Sequence, residues 1–78
     1  MTPNIFATRS EIKRAVHLSR ERFPNCRVGQ AFLNQFSEFD AADREFGLNL
    51  WQDDSFDSVV SKIHMIQQMA GAFERLSD

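Results

Sequence analysis

The last third of the chain contains the pattern that most restricts how it can fold. Six apolar residues recur there over three heptads at alternating spacings of three and four positions: Phe56, Val59, Ile63, Ile66, Ala70 and Phe73. This spacing places the six residues on one stripe of an α-helix. No proline interrupts the segment before Leu76, and we expect Asp53 or Asp54 to cap its first turn. The pattern therefore predicts a long C-terminal helix that packs on the rest of the chain.

A second apolar row lies on the same predicted helix. Its members are spaced by four, three and four positions: Met65, Met69, Ala72 and Leu76. A helix that packs on one partner needs one apolar stripe, so two rows indicate burial on more than one side. We expect this row to form the interface of a homo-oligomer, with a dimer favoured. The alternatives are that the upstream connector and short helix cover the row, or that it is an adaptable surface for another protein.

A shorter amphipathic helix is predicted near the N-terminus. Its apolar face is spaced by four, three and four positions: Ile12, Val16, Ser19 and Phe23. Ala15 and Leu18 widen that face. We expect the helix to start at the N-cap Ser10 and to end before Pro24, because the residue preceding a proline disfavours the helical conformation. Residues 1–8 show no such periodicity and are predicted to be a flexible arm.

A second helix is predicted from Arg27 to Phe39, with one apolar side. Gly29 falls near that side, which indicates a close approach of its backbone to the first helix. A short helix is predicted next, with Asp40 as its cap and Gly47 at its end.

The segment that follows, Leu48–Trp51, is too short for an independent sheet and is predicted to be an extended connector. We expect Leu50 and Trp51 to fill the core between the helices. The predicted fold is therefore all-α: one domain over residues 1–78, a small bundle of three main helices plus one short helix, with a long C-terminal helix.

The cysteine content and hydropathy suggest where the protein works. Cys26 is the single cysteine, so no intramolecular disulfide is possible, which fits a reducing compartment. The first residues lack the pattern of a signal peptide, and no apolar run reaches transmembrane length. We therefore expect a cytoplasmic protein without a membrane partner.

Charge is divided unevenly along the chain. Residues 1–30 contain six basic and two acidic residues, a net charge of +4, whereas residues 31–78 carry −6. Five of the basic residues lie on the first helix and the turn after it, and they are the candidate partner-binding face: Lys13, Arg14, Arg20, Arg22 and Arg27. Such an asymmetry concerns partners rather than fold.

Two functions could use this basic face. A protein partner with an acidic surface would be steered to it, and a neighbouring subunit could serve in the same way. Alternatively, helix, short connection and helix resemble a helix-turn-helix, in which the arginines would contact DNA phosphates. The second predicted helix offers Gln30 and Asn34 but no Arg or Lys beyond Arg27, so we favour the protein partner over the small DNA-binding regulator.

No residue set points to catalysis. His17 and His64 stand alone, and the acids at the start of the last predicted helix are explained by capping. No spacing of His, Cys, Asp and Glu suggests a metal site, and no glycine pattern suggests a phosphate site. We therefore expect a non-enzymatic protein without a cofactor or metal.

One stretch has a recognisable pattern of the form Arg…Pro…Arg-x-Gly-Gln…Asn: Arg22, Pro24, Arg27, Gly29, Gln30 and Asn34. It resembles a pattern in small uncharacterised bacterial and phage-type helical proteins, over roughly residues 20–57. The resemblance implies a small helical accessory protein of phage or mobile DNA, and it brings no known activity or catalytic residue. As a working function, we expect such a protein to act on a host factor. Within it, Gln30 and Asn34 form a polar patch that either recognises a partner or, as we favour, fixes the connector around Trp51.

Overall fold

The structure, a computed structural model, describes residues 5–69. Four α-helices lie in this range: α1 (Arg9–Arg22), α2 (Val28–Gln35), α3 (Asp40–Phe46) and α4 (Phe56–Met69). Single turns of 3-10 helix, Ser37–Phe39 and Leu50–Gln52, precede α3 and α4. No strand occurs in this part of the chain, so the all-α class and the small helical bundle are confirmed. None of the helices between residues 5 and 69 has both the length and the apolar character needed to span a membrane.

The N-cap of helix α1 lies two residues earlier than predicted. Thr8, not Ser10, is the N-cap: its hydroxyl accepts the Glu11 N–H at 3.2 Å, and Glu11 Oε1 accepts the Thr8 N–H at 3.0 Å. This reciprocal pair satisfies two N–H groups at once, which Ser10 cannot do with a lysine three residues later. The helix ends before Pro24 as predicted, with Phe23 at its C-cap.

The predicted flexible arm is wrong for residues 5–8. Phe6 belongs to the core, with its ring centroid 5.5 Å from that of Phe36 and 5.9 Å from that of Phe39. The backbone N–H groups of Ile5 and Phe6 both donate to Oε1 of the fully buried Gln67, at 3.1 and 2.6 Å. An aromatic side chain and a double hydrogen bond thus hold the segment, while residues 1–4 lie outside the described range.

Helix α2 is shorter than the predicted Arg27–Phe39 and stops at Gln35, because Phe36 leaves the helical conformation. The close backbone approach predicted at Gly29 exists, but its partner is the turn after α3 rather than α1. A Cβ atom at this position would lie 1.8 Å from the Leu50 carbonyl oxygen. The Gly29 N–H donates to the Asp53 carbonyl at 2.8 Å, so α2 and this turn are joined backbone to backbone.

The segment before α4 is a tight turn and not an extended connector. Asn49 has a left-handed φ of 60°, and the N–H of Leu50 donates to the buried carboxylate of Asp43 at 2.9 Å. Leu50 fills the core as predicted, but Trp51 does not, since it is 40% exposed. A 3-10 turn rotates successive side chains by about 120°, so the two neighbours cannot both face inward.

The ends of α3 agree only in part with the sequence. Gly47 ends the helix as predicted, with a left-handed φ of 65°. Asp40 is not its side-chain cap; it forms an ion pair with Arg44 at 3.3 Å, one turn further along.

Helix α4 closes the core with the predicted stripe. Val59, Ile63 and Ile66 have no exposed surface, while Ala70 and Phe73 lie outside the described residues. The cap is Ser55 rather than Asp53 or Asp54, because the Ser58 N–H donates to the Ser55 hydroxyl at 3.3 Å. The Asp54 carboxylate is bonded to α2 instead, and the Asp53 carboxylate contacts the start of α4 through the Ser55 N–H and the Ser58 hydroxyl without being its N-cap.

Candidate interaction surface

Helix α4 and the turn before it lie along one flank of α1, and this determines which side of α1 faces outward. Three side-chain contacts mark that flank: Arg9 to His64 at 3.2 Å, Arg20 to Asp54 at 4.0 Å, and the ring of His17 at 4.4 Å from that of Phe56. Helix α2 packs on α1 as well. The buried residues of α1 face these two helices: Ile12, Ala15, Val16 and Ser19.

On the outward side of α1, Arg14, Leu18 and Arg22 follow one another every four residues. We call this stripe the Arg14–Leu18–Arg22 row. It extends over about 12 Å at the helical rise of about 1.5 Å per residue. Both arginines are exposed, and Leu18 is 50% exposed. The row thus presents an apolar side chain between two guanidinium groups.

The predicted basic residues are all exposed: Lys13, Arg14, Arg20, Arg22 and Arg27. Arg20 is 4.0 Å from Asp54, a weak exposed pair. The other four have no ion-pair partner among residues 5–69. Two acids lie on the same helix: Glu11 is held in the capping box, and Glu21 is exposed beside the row. The surface is therefore positive, with most of its charge unpaired within the described chain.

Leu18 does not lie on the buried face of α1, where the apolar pattern predicts it, but is 50% exposed. The residue lies four positions from Arg14 and four from Arg22, so it shares their side of the helix rather than that of Ile12. This four-residue spacing from two charged residues is the sequence signal that could have predicted an exposed Leu18.

Asp53 and Asp54 form a clasp between α2 and α4 that is structural. The Asp54 carboxylate accepts the Val28 N–H at 3.1 Å, and the Asp53 carbonyl accepts the next N–H of α2. The two residues therefore cap α2 from a distant part of the chain, and they cover its N-terminus.

The Asp53 side chain ties the clasp to α4. Its carboxylate is 2.8 Å from the Lys62 ammonium and accepts hydrogen bonds from the Ser58 hydroxyl and the Ser55 N–H. Burial acts to raise the pKa of this carboxyl, but the hydrogen bonds from Lys62, Ser58 and Ser55 outweigh it and hold the pKa below the ordinary value of 3.8. Asp53 therefore remains charged at neutral pH as part of the fold.

Within residues 5–69, the structure shows no hydrogen bond from the polar patch, Gln30 and Asn34, to the turn around Trp51, although the sequence favours one. Asn34 is exposed and its Nδ2 donates to Cys26 Sγ at 3.6 Å, while Gln30 is half-buried. The turn around Trp51 is held instead by the Gly29 backbone and by the Asp43 carboxylate.

The second apolar row of α4 is exposed where the structure describes it. Met65 is 40% and Met69 55% exposed, so neither the short helix nor the turn covers them. Ala72 and Leu76, the other two members, lie outside the described residues.

Across residues 5–69, no three His, Cys, Asp or Glu side chains are grouped to hold a metal ion. The exposed basic row of α1 and the exposed methionines of α4 are the candidate binding surfaces of the described residues. Neither protein-family models nor curated proteins nor solved structures match this chain.

Proposed function

We propose that this protein is a non-enzymatic accessory protein that binds a protein partner through the outward side of α1. The observation that carries the proposal is the half-exposed Leu18 between two arginines that have no ion-pair partner among the described residues. Apolar centres and arginines are both enriched where proteins bind proteins. A partner that suits the row has an apolar side chain flanked by carboxylates.

The geometry of α2 favours a protein partner over duplex DNA. In a helix-turn-helix, the N-terminal residues of the second helix contact base edges. Here Val28 and Gly29, at that end of α2, are buried, and the Asp54 carboxylate accepts a hydrogen bond there. A negative charge at the reading end would repel phosphate, and a half-exposed leucine has no counterpart on a phosphate backbone.

The proposal includes self-assembly through α4, with a dimer favoured, because Met65 and Met69 form an exposed apolar stripe on its outer side. The foreign partner proposed here is a host protein, as expected for an accessory protein of phage or mobile DNA. A cytoplasmic location belongs to the same proposal, since a single cysteine cannot form an intramolecular disulfide.

Changing Leu18→Glu is expected to abolish binding to the foreign partner. The substitution puts a negative charge at the apolar centre and leaves the buried face of α1 untouched. The measurement is a pull-down from the natural host with three baits: the native chain, Leu18→Glu, and Gln52→Glu. Gln52 is exposed on the turn before α4, so its variant matches the charge change outside the row.

The expected result is a host protein retained by the native and Gln52→Glu baits and reduced at least about tenfold with Leu18→Glu, about 1.4 kcal/mol of binding free energy. Equal retention by all three baits would contradict the proposal. So would duplex DNA that is retained at low salt and released when Arg14 and Arg22 become alanine, since that result assigns the face to nucleic acid.

Changing Met65→Gln together with Met69→Gln is expected to convert an assembled protein into a monomer. Both side chains are exposed, so the fold keeps its core while the interface loses its apolar surface. At high salt, light scattering should give a mass above the 9.0 kDa of one chain for the native protein, and that mass for the double variant. A native protein that is monomeric at tens of micromolar would remove this part of the proposal.

A further inference from the structure

The row on α1 has a counterpart of opposite charge elsewhere in the same chain. Glu38, Ala41 and Glu45 are all exposed and follow one another at spacings of three and four residues. Glu38 lies in the 3-10 turn that runs directly into α3, and the other two lie on α3 itself. This spacing puts them on one side, which we call the Glu38–Ala41–Glu45 row.

The charges of the two rows are not neutralised within one protomer. Neither Glu38 nor Glu45 has an ion-pair partner among residues 5–69, and the same holds for Arg14 and Arg22. Helix α1 packs mainly on α2 and α4, whereas α3 packs on the 3-10 turn before it. A pairing of the two rows therefore requires two molecules.

We propose that the Arg14–Leu18–Arg22 row binds the Glu38–Ala41–Glu45 row of a second copy of this chain. The first row is about 12 Å long and the second about 11 Å, from the rises of α- and 3-10 helices. Each row has a charge at both ends and an apolar residue between them. An arginine therefore meets a glutamate at each end while Leu18 packs on the small Ala41.

A small residue opposite a large one allows two helices to approach closely, as ridges fit into grooves. Because both rows belong to every protomer, a twofold dimer makes this contact twice. The Asp40–Arg44 pair lies beside the acidic row and is satisfied within α3, so it does not compete for the arginines of the neighbour.

The strength of the contact follows from its exposure. Ion pairs between solvent-exposed side chains contribute little each and are screened by salt. The association is therefore weak at physiological salt and strengthens at low salt. This distinguishes it from an assembly through the methionines of α4, whose apolar contact salt does not weaken.

The test uses complementary charge reversal in a background that carries Met65→Gln and Met69→Gln, so that α4 does not contribute. One variant adds Arg14→Glu and Arg22→Glu; the other adds Glu38→Arg and Glu45→Arg. Sedimentation velocity at low and high salt measures the association of each variant alone and of the two mixed. A control with Gln52→Arg and Gln68→Arg places added positive charge on exposed positions outside both rows.

The Met65→Gln, Met69→Gln background is expected to associate at low salt, and its association constant should fall at least tenfold at high salt. Each charge-reversed variant alone should lose this association, the control should keep it, and the mixture should regain it as a one-to-one complex. A mixture that stays monomeric, or a background whose association ignores salt, would overturn the inference. Circular dichroism confirms that each variant is folded before it is compared.

This inference rests on the proposed function only in using the same side of α1, and the two fail separately. If Leu18→Glu loses a host protein but the mixed variants do not associate, the foreign partner stands and the self-contact falls. If the mixture associates but no host protein depends on Leu18, the basic row serves assembly alone.

Discussion

Replacing Gly29 with alanine is expected to unfold the protein under conditions in which the native chain is fully folded. The added Cβ would lie 1.8 Å from the carbonyl oxygen of Leu50 and 2.8 Å from its carbonyl carbon. Neither atom can move aside, because the Leu50 N–H is held by Asp43 and its carbonyl accepts the Asp53 N–H at 3.0 Å. The substitution must therefore separate α2 from the turn.

That separation breaks the hydrogen bond from Gly29 to Asp53 and disturbs the one from Val28 to Asp54. It also opens the core around Leu50, which has no exposed surface. Strain, lost hydrogen bonds and a disrupted core together cost about 4 kcal/mol or more. The whole stability of a small domain is only about 5 kcal/mol, so little folded protein should remain.

Urea unfolding followed by circular dichroism measures the effect, and Gly47→Ala is the matched control. Gly47 differs from the helical Gly29 in having a left-handed φ of 65°, and nothing lies within 4 Å of its would-be Cβ. Its replacement should cost only about 1–2 kcal/mol, the penalty of a left-handed side chain. If Gly29→Ala unfolded no more readily than Gly47→Ala, the close approach of α2 and the turn would not exist.

The helices themselves could be predicted because their signals are local. The stripe of α4 repeats at helical spacing, Pro24 ends α1, and Gly47 ends α3, each through a property of one residue and its neighbours. The lack of a side chain at Gly29 correctly predicts a close approach, but the predicted partner, the first helix, is wrong, because the approaching segment is the turn at Leu50. The identity of that segment depends on a contact with residues more than twenty positions away.

The errors share a cause in contacts that join distant parts of the chain. Asp53 and Asp54 looked like caps of α4, yet they satisfy the start of α2 and leave Ser55 to cap α4. Trp51 looked like a core residue, yet the turn that buries Leu50 rotates it outward. Residue type alone does not decide these cases, because an aspartate can cap either helix and a tryptophan can lie in the core or at the surface.

The candidate surface was predicted better in its charges than in its shape. The five basic residues are exposed where a positive face was expected. Leu18 was placed on the wrong side because an apolar residue one position from a buried stripe usually widens it. Its exposure changes the proposal from a general electrostatic face to an apolar centre with charged flanks.

Replacing Phe6 with alanine is the second change expected to have a large effect. Phe6 is 8% exposed and its ring lies against three others, those of Phe32, Phe36 and Phe39. Removing a buried aromatic ring leaves a cavity and costs about 3–5 kcal/mol. The substitution should also release the backbone of residues 5–8, which the ring holds beside Gln67.

Release of residues 5–8 should also destabilise the C-terminal end of α4. Gln67 is fully buried and accepts both the Ile5 and the Phe6 N–H, across sixty-two and sixty-one positions of sequence. Once the segment leaves, water enters beside Gln67, and amide hydrogen exchange around Ile63–Met69 should quicken more than exchange at the start of α4. Urea unfolding measures the loss in the free energy of unfolding, and amide hydrogen exchange shows which residues lose protection.

Ile5→Ala is the control, because Ile5 is 44% exposed and its N–H stays available to Gln67. It should cost less than about 1 kcal/mol. A Phe6→Ala variant as stable as Ile5→Ala, with unchanged exchange in α4, would return residues 5–8 to the flexible arm that periodicity alone predicts. A large loss of unfolding free energy, with faster exchange confined to Ile63–Met69, would show that residues 5–8 are part of the core. The Phe6 ring and the Gln67 side-chain amide would then join the two ends of the described chain.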